Sequence, residues 1–320
     1  MCRILIFHGR QPITMADLIT KPTHSIIRQS YAAQERIDNS PLNGDGFGIG
    51  WYTKGDTMDF SSSKDKEDIQ TPCVFLSVTP AWNNLNLIRL AEKIKSPLFF
   101  GHVRAASPGI LTSETNCHPF LFGQFIWMHN GVIAEFPKIK RSLMGLLDDE
   151  LYLHIQGTTD SEAIFMLYLN ILKKHIPGKN LKQEKVEPCL LKQVMEETIQ
   201  QLLQWNNQFN ITTTSHMNFA ISDGKTVIVT RYTYPSTALP VSLYFASGSQ
   251  FTIGKDNDYE MHQTDRRQTC HIIASEPLSK NVKDWIPVPR DHLLMITSDS
   301  TLLIFPVSKQ PTQIPEQRNH

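Results

Sequence analysis

MCRILIFHGR (residues 1–10) places a cysteine directly behind Met1 and ahead of a short apolar run. Cysteine is scarce in this chain, with five in 320 residues. Two interpretations of Cys2 are open. In a buried strand it would serve as a small apolar side chain. If Met1 is removed, Cys2 instead becomes the first residue and offers a thiol next to a free α-amine, which would give its position a chemical purpose.

The overall composition is that of an ordinary globular chain without a charge bias. Lys plus Arg and Asp plus Glu both number 31, so no net charge favours binding to nucleic acid or to an anionic membrane. Apolar residues make up 40% of the chain, which is enough for a sizeable core. No apolar run approaches the roughly 18 residues of a membrane-spanning helix, and residues 4–7 are too few for the core of a signal peptide. We therefore expect a cytoplasmic protein that binds neither nucleic acid nor membranes.

The cysteines do not form a pattern that predicts a disulfide framework or a zinc site. Their number is odd, they are widely spaced, and no C-x-x-C occurs. We expect no bound metal and no cofactor, and packing roles for most of the cysteines, with Cys2 treated separately. Cys117 and His118 are adjacent in SETNCHPF. Neighbouring side chains on an extended chain point to opposite faces, so a catalytic pair is not expected there.

Short apolar runs bounded by Gly, Asn or Pro predict two groups of strands separated by two helices. The predicted strands cover residues 4–7, 47–52, 74–78, 98–103, 125–128, 219–221, 227–229, 244–248, 271–278 and 293–305, the last with a turn inside it. The predicted helices cover 161–174 and 189–205, and a polar loop covers 58–72. This order indicates an α+β architecture with layered sheets and helices. We expect one domain over residues 2–306 and a polar, disordered tail over 307–320.

The glycine-rich stretch NGDGFGIGWY (residues 43–52) does not match a nucleotide-binding loop. Its glycines alternate strictly, so neither G-x-G-x-x-G nor the P-loop pattern can be placed on them. Alternating glycines ahead of Trp-Tyr favour a turn that enters a strand passing close to another backbone. We interpret the stretch as a structural loop beside a pocket, with Asp45 as a secondary contact.

Three further motifs place polar groups at the ends of apolar elements. Arg104, in FFGHVRAAS, is either a solvated arginine or a fixed guanidinium that grips a carboxylate. Asn130 and Gly131, in IWMHNGVI, are either a tight turn or an amide and backbone N–H that bind an oxyanion. Asp160, in GTTDSEAIF, either stabilises a helix start or accepts hydrogen bonds from a substrate ammonium.

In combination, these motifs resemble the class II glutamine amidotransferases, which use an N-terminal nucleophile. Met-Cys-Arg at the start, NGDGFGIGWY, GHVRAAS, NCHPF, MHNG and TTDSE occur in the order found in that family, across nearly the whole chain. LIFHGRQPI, TPAWNNLNL and SETNCHPF resemble one branch more closely. That branch holds the amidotransferase-like subunit of the fungal glutathione-degradation complex and stand-alone bacterial relatives. The resemblance implies a four-layer αββα sandwich.

The resemblance also implies how the reaction would run. Cys2, exposed by removal of Met1, is the nucleophile, and its own α-amine is the base, because an α-amine with a pKa of about 7.7–8.0 exchanges a proton near neutral pH. Asn130 and Gly131 form the oxyanion hole. The thiolate attacks a γ-amide carbonyl, the amine leaves with a proton, and water hydrolyses the γ-glutamyl thioester.

For substrate binding, the resemblance implies that Arg104 grips the α-carboxylate and Asp160 the α-ammonium, and Ser107 is a further candidate contact. The chain departs from synthase-fused members of the family, whose pattern is G-H-x-R-W-A-T-H-G. Ala105, Ser107 and Pro108 stand where those members carry Trp, Thr and His. The bulky Trp that helps to gate glutamine is absent, which argues against gated channelling of ammonia.

Three functions remain open at this point. The preferred hypothesis is hydrolysis of a γ-glutamyl amide bond, that of glutathione, in a complex with a metallopeptidase-like partner implied by the resemblance. A second is a glutaminase that supplies ammonia to a separate synthase. A third is a catalytically silent scaffold subunit. Glutamine and glutathione share the same γ-glutamyl head, so residues that bind this head do not distinguish them.

Overall fold

The computed structural model describes residues 1–37, 42–53, 70–106, 109, 111–254, 256–264 and 268–308. Most of the polar loop predicted over 58–72 lies outside these residues, and so do Ser107 and residues 309–320 of the predicted tail. No helix in the described part of the chain is long and apolar enough to cross a membrane.

The described residues form seven α-helices and sixteen β-strands. The helices are α1 (Ala16–Ile19), α2 (Ile26–Ala32), α3 (Leu85–Lys93), α4 (Phe136–Leu146), α5 (Asp149–His154), α6 (Asp160–His175) and α7 (Pro188–Gln208). The strands are β1 (Arg3–Thr14), β2 (Phe47–Tyr52), β3 (Cys73–Ser77), β4 (Lys95–Val103), β5 (Phe120–Phe122), β6 (Phe125–Val132), β7 (Ser215–Ser222), β8 (Val227–Arg231), β9 (Thr233–Tyr234), β10 (Tyr244–Gly248), β11 (Gln250–Ile253), β12 (Tyr259–His262), β13 (Cys270–Ala274), β14 (Ile286–Pro287), β15 (His292–Ile296) and β16 (Leu302–Pro306).

Two seven-stranded sheets carry the fold. The first has the order β14-β10-β13-β1-β4-β2-β3, and the second has the order β16-β15-β8-β7-β6-β5 with β9 paired to β7. The strands β11 and β12 form a separate hairpin. The pairings described in both large sheets are antiparallel. β1 is therefore a central strand, held between β13 and β4.

Alternation of side chains along β1 separates two layers of the core. Ile4 and Ile6 point into the layer between the two sheets, whereas Leu5 and Phe7 point to the opposite face and pack with helices α1 to α3. The continuous apolar run of residues 4–7 within β1 is expected because both faces of the strand are covered there.

The second sheet is organised in the same way around β6. Ile126 and Met128 face the first sheet, whereas Phe125 and Trp127 pack with α4 to α7. Trp127 stacks on Phe165 of α6 with 5.6 Å between the ring centroids. Helices, sheet, sheet and helices therefore follow one another, and the predicted four-layer αββα sandwich is confirmed.

The helix α6 begins and ends where its sequence indicates. The Thr159 side chain accepts a hydrogen bond from the Glu162 N–H and caps the helix. Acidic residues in the first turn and Lys173, Lys174 and His175 in the last turn complement the helix dipole. The first residue of the helix is Asp160, so this local chemistry fixes one candidate site residue at the helix N-terminus.

Prediction of only two helices was wrong, because α1 to α5 are also present. These five helices have 4 to 11 residues and bury narrow stripes. In α3 only Leu87 and Ala91 are buried, and in α4 only Ile139 and Leu143. A single pair at i and i+4 is too weak a periodic signal to distinguish a helix from a loop.

The end of the packed chain lies slightly beyond the predicted boundary at residue 306. Val307, which we assigned to the tail, is only 3% exposed and packs on the core between the second sheet and its helices. Its N–H donates to the Asp291 carbonyl oxygen at 2.9 Å. The single-domain assignment over residues 2–306 stays a prediction.

Candidate active site

Cys2 lies at the start of the central strand β1, next to the end of β4. Because these strands pair antiparallel with Arg3 opposite Val103, Cys2 and Arg104 are neighbours across the pair. The Cys2 Sγ accepts a hydrogen bond from the Ala105 N–H at 3.4 Å and lies 3.6 Å from the Ala105 carbonyl oxygen. The side chain is 7% exposed. The thiol therefore lies where β1 begins and β4 ends, in contact with the chain segment that follows β4.

The electrostatics of Cys2 favour the protonated thiol. Burial raises the pKa of the Cys2 thiol, and the Ala105 backbone, the N-terminal ammonium and the Arg104 guanidinium offset this only in part. The thiolate is the reactive form of cysteine. A nucleophilic role for Cys2 therefore needs a nearby base that accepts the thiol proton.

Arg104 is a buried arginine, so its interpretation as a solvated strand end was wrong. It is 3% exposed, and its Nη1 donates to the Asp45 carbonyl oxygen at 3.2 Å. Asp45 in turn accepts the Ala106 N–H on Oδ2 at 2.8 Å. These contacts tie the glycine-rich loop to residues 104–106, so Asp45 supports the segment that contacts Cys2.

The glycine-rich stretch passes close to another backbone, as predicted. A Cβ at Gly48 would lie 2.1 Å from the His118 carbonyl oxygen, and one at Gly46 would lie 2.7 Å from the Cys117 Sγ. Gly46 also has a φ of +111°, which L-residues rarely adopt. Cys117 is buried and packs here, and its expected structural role stays a prediction.

Asn130 and Gly131 belong to the strand β6, so the tight-turn interpretation of this pair was wrong. They lie opposite Asn218 and Met217 of β7. The Asn130 side chain is fully buried, with Nδ2 at 3.2 Å from the Ser275 Oγ, and its Oδ1 has no hydrogen-bond partner among the described residues. A buried amide oxygen without a partner is uncommon inside a protein and leaves this side chain able to make a further hydrogen bond.

Asp160 is joined to the end of β6 by backbone and side-chain hydrogen bonds. Its Oδ2 accepts the Ile133 N–H at 2.8 Å, and its Oδ1 accepts from the Ser161 Oγ at 3.1 Å. The Ser161 Oγ lies 2.9 Å from the Nδ1 of His129 on β6. The N-cap of α6 is Thr159, so Asp160 is a first-turn residue whose carboxylate is oriented by β6.

A family model described as class-II glutamine amidotransferases matches residues 16–319. The chain belongs to this family. The probable glutamine amidotransferase DUG3 of Saccharomyces cerevisiae is 42% identical over 312 residues, which are 96% of this chain and 84% of that protein. This match confirms the family resemblance and agrees with the fungal branch. The γ-glutamyl-hercynylcysteine sulfoxide hydrolase of Mycolicibacterium smegmatis is 28% identical over 133 residues, 42% of this chain and 52% of that protein.

Solved structures of other proteins share the fold. A class-II domain protein from Silicibacter pomeroyi has a TM-score of 0.58 at 21% identity, covering 96% of this chain and 100% of that one. The glutamine phosphoribosylpyrophosphate amidotransferase of B. subtilis has a TM-score of 0.55 at 14% identity, covering 97% of this chain and 50% of that one. These likenesses concern the fold, and the roles of the site residues stay predictions.

Sequence reasoning missed a charged network behind Cys2 in this amidotransferase. Arg3 is fully buried and lies 3.0 Å from the Glu276 carboxylate, while its Nη1 donates to the Cys2 carbonyl oxygen at 3.0 Å. Although burial raises the pKa of Glu276, hydrogen bonds from His24 and the Gln34 N–H, together with Arg3, hold that pKa below its usual value. Arg3 follows Cys2 in the sequence, but nothing local indicates its partner.

Two buried imidazoles lie close to each other, and one of them, His102, is paired with Ile4 of β1. The rings of His102 and His118 have centroids 4.1 Å apart. Burial lowers the pKa of His102 to about 3, with the Arg104 charge acting in the same direction, and it lowers the pKa of His118 well below its usual value. Both imidazoles are therefore neutral over the physiological range.

We expect the free energy of unfolding to fall by about 2 kcal/mol for His102 alone between pH 7.5 and pH 5. In the unfolded chain a histidine binds a proton below its ordinary pKa of about 6.5. In the folded protein His102 stays neutral down to about pH 3. Acid therefore favours unfolding, by about 1.4 kcal/mol for each pH unit below 6.5. Urea unfolding at both pH values measures this loss.

The test compares the wild type with a His102→Gln variant. His102→Gln should reduce the loss by about 2 kcal/mol. An equal pH dependence in His102→Gln and the wild type would contradict a neutral buried imidazole.

A cavity of about 490 Å³ opens between the edge strands β3 and β5, beside α6. Its lining includes Phe75, Cys117, Phe120, Gln156 and Glu162, and Cys2 is not part of that lining.

The described residues contain no group of three or more His, Cys, Asp or Glu side chains arranged to hold a metal ion.

Proposed function

We propose that this class II glutamine amidotransferase hydrolyses a γ-glutamyl amide bond with Cys2 as the nucleophile, and that its substrate is glutathione. The observation that carries the proposal is the contact between the Cys2 Sγ and the Ala105 backbone, next to the buried Arg104. A thiol and a fixed guanidinium side by side suit a substrate that has a carboxylate close to its reactive carbonyl group.

The proposed reaction uses the α-amine of Cys2 after removal of Met1. The amine takes the thiol proton, which supplies the base that a buried thiol of raised pKa requires. The thiolate then attacks the γ-carbonyl carbon, and the oxyanion receives hydrogen bonds from the Asn130 amide and the Gly131 N–H. The ammonium returns its proton to the departing amine, and water hydrolyses the remaining thioester to glutamate and the free thiol.

The proposed roles of Arg104 and Asp160 fit their remaining hydrogen-bonding capacity. A guanidinium has five N–H donors, and the structure describes one side-chain hydrogen bond from Arg104, to Asp45. Each Asp160 oxygen accepts one described hydrogen bond, and an ionised carboxylate oxygen has room for a second. Ser107, the third proposed substrate contact, lies outside the described residues and stays a prediction.

Glutathione is preferred over glutamine because of the small residue that contacts the nucleophile. Ala105 stands where synthase-fused family members carry Trp, and its backbone contacts the Cys2 Sγ. Less bulk there leaves more space for the cysteinylglycine that would leave from glutathione. The resemblance to the fungal complex subunit further leads us to propose a metallopeptidase-like protein partner.

The test is glutamate release from glutathione and from glutamine by the purified full-length protein. Intact mass spectrometry of the same sample shows whether Met1 has been removed. We expect glutamate from glutathione at a higher kcat/KM than from glutamine, in a preparation that begins with Cys2. Release from glutamine alone would move the function to ammonia supply. No release from either substrate, with Met1 absent and cell extract added, would favour the silent scaffold.

A further inference from the structure

One serine hydroxyl joins the strand of the nucleophile to the candidate oxyanion residue. Ser275 directly follows β13 and is fully buried. Its Oγ accepts the Ile4 N–H at 2.9 Å, and its own N–H donates to the Ile4 carbonyl oxygen at 3.0 Å. The same Oγ lies 3.2 Å from the Asn130 side-chain amide of the second sheet. Ser275 therefore links Ile4, which lies two residues after Cys2 in the first sheet, to Asn130 in the second sheet.

The hydrogen bonds around this hydroxyl are incomplete when the Asn130 Nδ2 faces it. The Ser275 Oγ would then accept from both Ile4 and Asn130, and its own proton would have no acceptor among the described residues. The Asn130 Oδ1 would also remain buried without a partner. Two buried polar groups without partners at adjacent positions are costly.

Rotating the amide by half a turn pairs the Ser275 proton with the Asn130 Oδ1 and leaves the Nδ2 hydrogens as the groups without a protein partner. The oxygen and nitrogen of an amide have nearly the same size, so the hydrogen-bond network decides which of them faces the hydroxyl. With Oδ1 towards Ser275, the serine O–H donates to it and the Oγ still accepts the Ile4 N–H. Both Nδ2 hydrogens then point away from Ser275, to the side where the amide has no protein partner.

We propose that Ser275 is a positioning residue whose hydroxyl donates to the Asn130 Oδ1 and turns the amide N–H groups towards the oxyanion of the tetrahedral intermediate. The inference rests on the proposed function, because it requires Asn130 to bind the oxyanion. Ser275 acts through Asn130 and makes no contact with the substrate. Loss of its hydroxyl should therefore weaken the stabilisation of the transition state and leave ground-state binding at Arg104 and Asp160 unchanged.

The test is steady-state kinetics of full-length Ser275→Ala and Ser275→Thr with the better of the two γ-glutamyl substrates. Removing one oxyanion donor typically lowers kcat by about 10²–10³-fold. We expect Ser275→Ala to lower kcat by about 10- to 100-fold, less than loss of the donor itself, with KM within about twofold. Ser275→Thr keeps the hydroxyl and should recover most of kcat.

A double variant separates this role from the support that Ser275 gives to Ile4. In an Asn130→Ala background, Ser275→Ala should lower kcat no further, because the amide through which it acts is gone. Ser96→Ala is the matched control: Ser96 is also fully buried in the first sheet, and its Oγ lies 2.7 Å from both the Tyr52 and the Leu98 carbonyl oxygens. It should reduce the melting temperature and leave kcat unchanged.

Each outcome has one meaning. If Ser275→Ala keeps the wild-type kcat, or if its effect multiplies with that of Asn130→Ala, Ser275 does not orient the amide and the inference is wrong. If Asn130→Ala itself keeps the wild-type kcat, the oxyanion assignment in the proposed function fails, and the inference fails with it. The proposed hydrolysis by Cys2 survives each of these results, and only the last of them removes Asn130 from its oxyanion hole.

Discussion

Replacing Cys2 by alanine is expected to abolish γ-glutamyl hydrolysis, with a loss of kcat on the order of 10⁴–10⁶-fold. Without the thiol no thioester forms, and the oxyanion donors and substrate contacts alone supply a small part of the rate. The measurement is glutamate release over hours at high enzyme concentration. The thioester intermediate, seen by intact mass spectrometry after rapid acid quench, should be absent from the Cys2→Ala variant.

The matched control is Cys270→Ala. Cys270 lies on β13 and is buried to nearly the same degree as Cys2, 6% against 7% exposed. Both variants lose one buried thiol, so both should show a similar change in melting temperature, and only Cys2→Ala should lose activity. Residual activity of Cys2→Ala above about 1% of the wild type would remove Cys2 from the mechanism.

A second variant tests the amine of Cys2 apart from its thiol. One glycine inserted between Met1 and Cys2 converts the Cys2 amine into a peptide nitrogen, which is not basic. If this amine is the base, the insertion should be nearly as damaging as Cys2→Ala. An active insertion variant, with its N-terminal sequence verified by mass spectrometry, would show that another group accepts the thiol proton.

Gly131→Ala is expected to destabilise the fold by about 3 kcal/mol or more and to lower activity at least about 10²-fold. A Cβ at this position would lie 1.9 Å from the His216 carbonyl oxygen and 2.7 Å from its carbon, and both are backbone atoms of β7 that cannot rotate away. The clash can be relieved only if β6 separates from β7, which also displaces the Gly131 N–H from its proposed position at the oxyanion.

Urea unfolding and kcat of the soluble protein measure the two effects of Gly131→Ala separately. Gly145→Ala is the matched control, because no heavy atom lies within 4 Å of a Cβ at Gly145 in α4. In a helix this substitution should raise the free energy of unfolding by about 0.5–1 kcal/mol. A Gly131→Ala variant as stable and as active as the wild type would contradict the close approach of β6 and β7.

The ends of a strand can be predicted from the sequence when its apolar pattern is continuous. Residues 47–52 were predicted as a strand and form β2 with the same ends. The strand β6 was predicted to stop at residue 128 but continues to Val132. Residues 129–131 of this strand are polar or glycine, and such residues predict a turn when read locally. They remain in the strand because β7 pairs with them, and this pairing joins residues 86 or more positions apart.

The candidate site could be predicted only in part, because contacts between residues far apart in the chain complete it. Motifs identify Cys2, Arg104 and Asp160, each within a few residues of chain. The groups that hold them in place come from far away: Ser275 lies 145 residues from Asn130, and Glu276 contacts Arg3 near the other end of the chain. A serine and a glutamate next to a proline in HIIASEPL have no local feature that reveals these contacts.

The central position of β1 has a consequence for the order of events during synthesis. One of its two partner strands is β13, which begins at Cys270. At about 5–20 residues per second, a ribosome needs roughly 13 to 55 seconds after β1 to reach that strand. Through this interval the first residues are translated but cannot yet be enclosed in the finished sheet. Removal of Met1, which the proposed function requires, therefore has this interval in which to take place before folding buries Cys2.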